Sequence, residues 1–143
     1  MRIERASPED VPAVEGLLAA AGLPLEGAAE ALATGVVARR GGQVVGAAAV
    51  EGYGAAGLLR SVVVAADCRG TGLGRALVAA AEDLARGLGH GELYLLTDTA
   101  AGWFPRLGYE TVDREVAVAA VGESIEFTMA CATTGVLLRR SIA

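Results

Sequence analysis

The sequence predicts one α/β domain, residues 1–143, built on a mixed β-sheet. Its length of 143 residues suits a single compact domain. Hydrophobic residues make up 53% of the chain and charged residues 20%, which is enough apolar material to bury a core. Segments with strand periodicity alternate with segments of helical periodicity, and this alternation is typical of α/β architecture.

The N-terminal part predicts a strand followed by helices. Residues 1–6 alternate apolar and charged side chains, as a short strand does. Ser7, Pro8 and Asp10 are then typical of a helix start, with a capping serine, a proline in the first turn and a capping-box acid. Apolar residues at helical spacing continue this helix, and a second short helix is predicted at about residues 26–33.

The central part predicts three strands. Residues 35–39 and 43–53 are separated by a tight, glycine-containing turn at 40–42 and therefore indicate a hairpin. Residues 58–66 form the third strand, whose β-branched centre is typical of a buried position.

The C-terminal part predicts a long helix and further strands. Residues 74–88 place their apolar side chains on one helical face and end in glycine. Beyond this helix we expect, in order, a strand at 92–96, a short helix at 99–107, a strand at 109–112 and a closing strand at 134–140. Residues 114–130 are ambiguous, and a helix is expected over part of them.

The composition excludes several kinds of chemistry. All 12 basic residues are arginines, so a Schiff base and a Walker-A phosphate lysine are both excluded. One histidine and two cysteines make a metal site unexpected. The net charge of −5 disfavours a nucleic-acid partner.

We expect the protein to be cytoplasmic and to have no membrane partner. The first residues lack the apolar core of a signal peptide. The longest charge-free run is shorter than the roughly 18 residues that a membrane span needs. Cys68 and Cys131 are expected to be free thiols, since a chain of this size needs no disulfide.

A glycine-rich loop follows the third central strand and opens the long helix. Such a loop lets successive N–H groups converge on one point, and the helix start adds unpaired N–H groups and the positive end of its dipole. Arg69 and Arg75 can add charge to a bound phosphate. A dinucleotide fingerprint is disfavoured because Arg75 stands where its third glycine is required. Two interpretations of the loop remain: an R-x-x-G-x-G phosphate loop, and a glycine turn that binds no ligand.

Two segments carry a family resemblance. Residues 69–74, Arg-Gly-Thr-Gly-Leu-Gly, resemble the coenzyme-A pyrophosphate loop of the GNAT superfamily of N-acetyltransferases, and residues 103–109 are similar to its F-Y-x-x-L-G-F segment. The resemblance implies a GNAT fold: a mixed, mostly antiparallel sheet of six to seven strands, splayed at its centre and flanked by helices. It also implies acetyl-CoA as cosubstrate and no metal.

The resemblance also implies where coenzyme A binds. The pantetheine is expected between the splayed strands, with the N–H of Val64 stabilising the oxyanion of the tetrahedral intermediate. The expected contacts with coenzyme A are Val62, Val63, Val64, Arg69, Gly70, Thr71, Gly72, Leu73, Gly74, Arg75, Thr97 and Phe104.

Two of these positions depart from the family pattern. Thr97 stands where an asparagine is common, and Phe104 stands where a tyrosine usually serves as general acid. A phenyl ring cannot protonate a thiolate, but a thiol with a pKa of about 8.5 is a tolerable leaving group. Tyr94 and Tyr109 are possible substitutes.

The acceptor side of the site is expected at Glu51, Arg60 and Ser61. Relatives that bind cationic amines often have an acid at position 60, so Arg60 favours a substrate with a carboxylate or another oxyanion. The alternative is that Arg60 faces solvent or pairs with Glu51. Glu51 is the candidate general base, acting directly or through water, and its alternative is a solvated acid at a strand end.

The function predicted from these residues is acetyl transfer to the amine of a small anionic amino compound. Short acetyltransferases associated with arsenic resistance resemble the chain at residues 59–61 and 93–97, and at Glu126, Phe127 and Cys131. A peptide or protein N-terminal acetyltransferase and a non-catalytic coenzyme-A sensor are the alternatives. The partner is then a small amine, and the protein is a monomer or a homodimer.

Overall fold

The computed structural model describes residues 1–97, 100–123 and 135–143. The strands and helices of this part, in chain order, are β1 (Arg2–Arg5), α1 (Val11–Ala20), α2 (Ala28–Ala31), β2 (Gly35–Arg40), β3 (Gln43–Tyr53), β4 (Ala56–Val64), α3 (Leu73–Gly87), β5 (Glu92–Thr97), β6 (Glu110–Thr111), α4 (Arg114–Val121) and β7 (Val136–Ser141).

The seven strands form one sheet in the order β1-β2-β3-β4-β5-β7-β6. The β4–β5 pair is parallel, and the other neighbouring pairs are antiparallel. The fold class predicted from the sequence, a mixed and mostly antiparallel sheet flanked by helices, is confirmed.

Helices cover both faces of the sheet. Consecutive strand residues point to opposite faces, and Leu58 and Leu59 show which helix covers which face. Leu59 packs in the cluster that contains Leu77 of α3. Leu58 packs in the cluster that contains Ala117 of α4. Helices α1 and α2 lie on the same face of the sheet as α4 but over its other half, where Val14 and Ala31 pack against β2 and β3.

The sheet opens at its centre. Strand β4 pairs with β5 over three residues, with Ala56–Leu58 opposite Glu92–Tyr94. Strand β4 continues to Val64, whereas β5 continues to Thr97 paired with β7. The two strands therefore diverge toward their C-terminal ends, and the expected central splay is confirmed.

Strand β4 carries a β-bulge at the start of this gap. Ala47 faces Val63 and Ala49 faces Arg60, so two β4 residues, Ser61 and Val62, share the place opposite one β3 residue. Ser61 has a φ of 56°, which is rare for a residue other than glycine.

The predicted capping box at the N-terminus is present. The backbone N–H of Ser7 donates to the Asp10 carboxylate at 2.8 Å. The Arg39 guanidinium donates to both Asp10 oxygens at 2.9 and 2.8 Å, and these bonds hold the pKa of that carboxyl below its usual value. A turn of 3-10 helix at Pro8–Asp10 precedes α1, so the α-helix itself begins three residues later than the cap predicts.

Several predicted elements differ from the observed ones at their ends. The second helix is reduced to α2 and a 3-10 turn at Leu32–Thr34. The short helix predicted at 99–107 is a 3-10 helix at Phe104–Leu107, and residue 99 lies outside the described part. The ambiguous segment is helical as α4, and its residues from 124 onward lie outside the described part, as does residue 134 of the closing strand.

A buried polar cluster ties α3 to the C-terminal half of the sheet. The Tyr109 hydroxyl donates to Glu82 at 2.9 Å, and the Arg140 guanidinium donates to both Glu82 oxygens at 2.7 Å. Tyr109 and Glu82 are almost completely buried. Burial and the neighbouring Glu82 carboxylate raise the pKa of Tyr109 far above its ordinary value.

The raised pKa predicts a loss of stability in alkali. An unfolded tyrosine releases its proton near pH ~10, whereas folded Tyr109 keeps it, so the free energy of unfolding falls as the pH rises above that value. At neutral pH we expect Tyr109→Phe to be less stable than the wild type by about 1.5–3 kcal/mol, because one hydrogen bond to a charged group is lost.

We expect this difference to shrink above pH ~10 by up to about 1.4 kcal/mol per pH unit. Urea denaturation of both proteins between about pH 8 and about pH 11 measures it. Tyr53 and Tyr94 are present in both proteins and cancel in the comparison. A difference that stays constant over this range would contradict the prediction.

Candidate active site

The gap between β4 and β5 opens into a cleft of about 650 Å³. It brings together most of the coenzyme-A residues predicted from the sequence. Its lining residues are Val62, Val63, Val64, Cys68, Arg69, Gly70, Gly72, Gly74, Arg75, Ala100, Trp103, Phe104 and Arg106.

The backbone of β4 directs N–H groups into this cleft. The N–H of Ala65 donates to the carbonyl of Val45 on β3 at 2.8 Å. Backbone groups of successive strand residues point to opposite edges, so the N–H of Val64, and that of Val62 two residues earlier, point away from β3 toward the gap. Because β5 has diverged here, these groups have no strand partner on that side. The side chain of Val63 is buried on the opposite face, against α1 and α2.

The glycine loop has a conformation that brings its N–H groups to the cleft. Gly70 and Gly72 have φ values of 78° and 85°, and a side chain at either position would point into open space. Gly72 is the residue before α3, whose first N–H groups have no acceptor within the helix. Thr71 closes the loop because its hydroxyl donates to the Cys68 carbonyl at 2.6 Å.

Arginines surround the loop. Arg69 donates to the Val64 carbonyl at 3.2 Å, which joins the loop to the end of β4. Arg40 donates to Asp67 at 2.9 Å and to the Cys68 sulfur at 3.2 Å, and so supports the loop from β2. Arg69 and Arg75 line the cleft as the sequence suggested, and Arg106 lines it too, although sequence reasoning did not select it.

Aromatic rings form the far wall of the cleft. Trp103 and Phe104 pack edge to face with centroids 4.8 Å apart, and Phe104 packs in the same way on Tyr109 at 5.6 Å. A side chain at Gly74 would come within 3.3 Å of the Trp103 ring, so glycine lets α3 approach this wall.

Three residues predicted to contact coenzyme A have side chains that bond to or pack against the protein itself. The Thr97 hydroxyl accepts a hydrogen bond from the N–H of Ala100 at 3.1 Å and shapes the segment that leads to Trp103. The Leu73 side chain is buried in the α3 core, so only its backbone belongs to the loop. The Thr71 hydroxyl donates to the Cys68 carbonyl and so closes the loop.

The two tyrosines proposed as substitute acids do not line the cleft. The Tyr109 hydroxyl is buried against Glu82, and the Tyr94 hydroxyl donates to Glu92 at 3.0 Å. Within the described residues, the cleft wall contains no tyrosine. The geometry therefore gives neither Tyr94 nor Tyr109 the role of general acid.

Arg60 and Glu51 form a buried ion pair, which is one of the two alternatives left open by the sequence. The Arg60 side chain is fully buried, and its Nη1 lies 2.8 Å from Oε2 of Glu51. The other Glu51 oxygen accepts from the Tyr53 hydroxyl at 2.7 Å. Arg60 thus presents no exposed cation to a ligand, and the expected direct contact with a substrate anion loses its basis.

A second recess, of about 400 Å³, lies on the sheet face that carries α1 and α2. Three carboxylates lie along it, and sequence reasoning had selected only that of Glu51. The lining residues are Gly27, Glu30, Ala31, Thr34, Glu51, Gly52, Tyr53 and Glu123.

Among residues 1–97, 100–123 and 135–143, no cluster of three or more histidine, cysteine, aspartate or glutamate side chains could hold a metal ion. In the same part of the chain, no helix combines the length and the apolar character that crossing a membrane requires.

The family model of the acetyltransferase (GNAT) domain matches residues 32–111, which is more than half of the chain. The chain therefore belongs to the GNAT acetyltransferase family, and its activity class is acetyl-CoA-dependent acetyl transfer. Among curated proteins no sequence match is found.

Solved structures share the fold at low sequence identity. Rv2747 from Mycobacterium tuberculosis, in a complex with CoA, superposes with a TM-score of 0.80 at 22% identity, and the match covers 99% of each chain. N-acetylglutamate synthase from Neisseria gonorrhoeae, complexed with coenzyme A and N-acetyl-glutamate, has a TM-score of 0.82 at 21% identity over 99% of this chain and 35% of that longer one. Ard1 from Thermoplasma volcanium has a TM-score of 0.76 at 18% identity, covering 99% and 97%.

The cleft fits the donor substrate of this family. The glycine loop and the start of α3 offer backbone N–H groups to a pyrophosphate, and Arg69, Arg75 and Arg106 supply positive charge. The β4 N–H groups that face the gap suit the amides of pantetheine. Acetyl-CoA bound in this cleft would supply an activated acetyl thioester, and the residues named here would hold it.

The left-handed conformation of Gly72 makes a prediction about donor binding. An alanine in this conformation is strained by about 1–2 kcal/mol, so we expect Gly72→Ala to pull the loop out of position and weaken coenzyme-A binding about tenfold. Trp103 is the one tryptophan of the chain and lines the cleft, so its fluorescence can follow the titration.

Gly87→Ala is the matched control for this prediction. Gly87 ends the same helix, is exposed, and has open space where a side chain would stand. We expect it to bind coenzyme A like the wild type. Equal affinities for Gly72→Ala and Gly87→Ala would refute the assigned role of the loop.

Proposed function

We propose that this protein transfers the acetyl group of acetyl-CoA to the amine of a small compound of the amino-acid type, by direct attack in a ternary complex. The observation that carries the proposal is the presence of two recesses beside the β3–β4 pair, one lined by residues of β4 and the other by residues of β3. The donor cleft lies at Val62 and Val64, and the carboxylate-lined recess lies on the face of α1 and α2. Arg60 connects them, since it contacts Glu51 and is followed directly by the bulge.

The proposed chemistry needs three contributions from the chain. Glu51 removes a proton from the acceptor ammonium, directly or through water, so that the amine can attack. The N–H of Val64 stabilises the oxyanion that forms at the thioester carbonyl. Holding both substrates in place supplies much of the rate enhancement. The thiolate then leaves without help from a tyrosine at position 104.

The size and charge of the recess support a small amine. Its volume of about 400 Å³ suits a compact molecule. The carboxylates of Glu30, Glu51 and Glu123 attract an ammonium group before it is deprotonated. The complex of the Neisseria enzyme with N-acetyl-glutamate supports an amino-acid acceptor by analogy.

Besides the amine that is acetylated, the acceptor is proposed to carry a negative charge or to be a peptide N-terminus. An anionic acceptor, including the arsenic-containing amino compounds suggested by residues 59–61 and 93–97, is retained as one class to be tested. Residues 126, 127 and 131, which supported the same resemblance, lie outside the described part of the chain. The structural likeness to Ard1 keeps a peptide N-terminus as the second candidate acceptor.

A thiol-release assay with acetyl-CoA tests the proposed function. The acceptor panel contains acidic, neutral and basic amino acids, their phosphorus and arsenic analogues, and short peptides with free N-termini. We expect turnover on free amino compounds to exceed turnover on peptides. Peptide-only turnover would support the second candidate, and coenzyme-A binding without turnover on any amine would support a sensor.

The role of Glu51 makes a separate prediction. Loss of a general base lowers the rate by about 10²–10⁴-fold, so we expect Glu51→Gln to reduce kcat by this factor while acetyl-CoA still binds. Steady-state kinetics and the Trp103 titration measure the two effects. Glu110→Gln is the matched control, because Glu110 is exposed on β6 and lines neither recess. If Glu51→Gln has a kcat like that of the wild type, Glu51 is not the general base.

A further inference from the structure

One buried guanidinium joins three separate parts of the acceptor side. Arg60 Nη1 donates to Oε2 of Glu51 on β3 at 2.8 Å. Its Nη2 donates to the carbonyl of Glu26, ahead of α2, at 2.6 Å. Its Nε donates to Oγ of Ser61, in the β4 bulge, at 3.2 Å. A fixed planar fork can satisfy three acceptors in this way, whereas a lysine ammonium on a flexible stem cannot reproduce the geometry.

The bulge that Arg60 contacts is a strained piece of backbone. The φ of 56° at Ser61 is unfavourable for a residue with a side chain, and such strain persists only where the surroundings hold it. Ser61 is buried, and its side chain is tied to Arg60. The bulge sets the direction of the strand that follows, and with it the direction in which Val62 and Val64 present their N–H groups.

The segment before α2 closes directly onto the same guanidinium. A Cβ at Gly27 would stand 2.9 Å from Nη1 of Arg60 and 3.7 Å from Oε2 of Glu51. Gly27 has a φ of 77° and is the residue directly before α2. The Arg60–Glu51 pair therefore packs tightly against the segment before α2. The guanidinium fixes this segment and the Glu51 carboxylate relative to each other.

We propose that Arg60 is a positioning residue for acetyl transfer, which holds the Glu51 carboxylate in place and braces the β4 bulge that aims the Val62 and Val64 N–H groups. The inference rests on the proposed function in taking Glu51 as the base. It replaces the idea that Arg60 receives an anionic substrate. A positioning role predicts the same loss for every acceptor, whatever its charge.

The kinetic test uses Arg60→Lys, which keeps a buried cation opposite Glu51. Misplacement of a reacting group by about 1 Å costs about 10²-fold in rate, so we expect kcat to fall by about this factor. The loss should be equal for an acidic, a neutral and a basic amino acid. A rise in KM confined to the acidic acceptor would overturn the proposal, as would a kcat like that of the wild type. Arg2→Lys, at an exposed position on β1, is the matched control.

Arg60→Ala adds a rescue experiment. We expect guanidinium ion, at millimolar concentration, to restore part of the lost kcat, and methylammonium to restore less, because only the guanidinium is a planar fork. Equal failure of both ions in a folded Arg60→Ala protein would count against positioning by the guanidinium. Because this variant leaves a buried carboxylate without its cation, it is destabilised, and Arg60→Lys remains the deciding variant.

A measurement without turnover separates this inference from the proposed function. Amide NMR spectra of the wild type and Arg60→Lys report the bulge directly, even if no amine on the panel is acetylated. We expect the Ser61, Val62 and Val64 amide signals to shift, and those of the loop at Gly70 and Gly72 to stay in place. Unchanged signals from the bulge would overturn the inference, whereas shifted signals with no turnover in the wild type would refute the proposed function alone.

Discussion

The early separation of β4 from β5 is the constraint on which the rest of the structure depends. A parallel pair that continued beyond three residues would use the backbone N–H groups of Val62 and Val64 in the sheet, and no cleft would exist. Each strand is stabilised on its other side, β4 by β3 and β5 by β7, so the sheet survives the gap. The backbone polar groups of β4 left in the gap have no partner in β5, and the residues that carry them line the cleft.

Two sets of side-chain contacts stabilise the gap between β4 and β5, one on each face of the sheet. On the α3 face, Trp103, Phe104 and Tyr109 form a continuous edge-to-face series that ends in the Glu82–Arg140 pair. On the other face, the Arg60–Glu51 pair lies beneath the segment that begins α2. In both cases a carboxylate and an arginine are completed by a tyrosine hydroxyl, so each carboxylate has a polar partner for both of its oxygens.

The sequence predicted which residues meet in the cleft at β4 far better than which residues meet in the carboxylate-lined recess. The loop at residues 69–74 depends on local glycine conformations and on the start of a helix, and such features can be recognised in a short segment. The Arg60–Glu51 contact depends on a single extra residue in β4, because the bulge decides which residues face each other across the β3–β4 pair. Nothing in the sequence marks that bulge, since Ser61 replaces the glycine that a positive φ usually calls for.

Other residues were missed for a related reason. Glu30 lies in α2 and Glu123 lies two residues beyond the end of α4, and only the packing of these helices on one face of the sheet brings them beside Glu51. Element ends were misjudged where tertiary contacts decide them, as for the short strand β6, which pairs with β7 over two residues. The order of elements was correct because it depends on periodicity and turn residues alone.

The absence of lysine gives the arginines around the donor cleft a chemical advantage. An acetyl thioester reacts with any deprotonated amine held beside it, and a lysine at this place would be a target for the molecule's own substrate. Arg69, Arg75 and Arg106 carry the positive charge that a phosphate needs, but their guanidinium groups stay protonated and are not nucleophiles at neutral pH. Under the proposed function, the cleft holds an acylating agent without being modified by it, and the acetyl group is left for the acceptor.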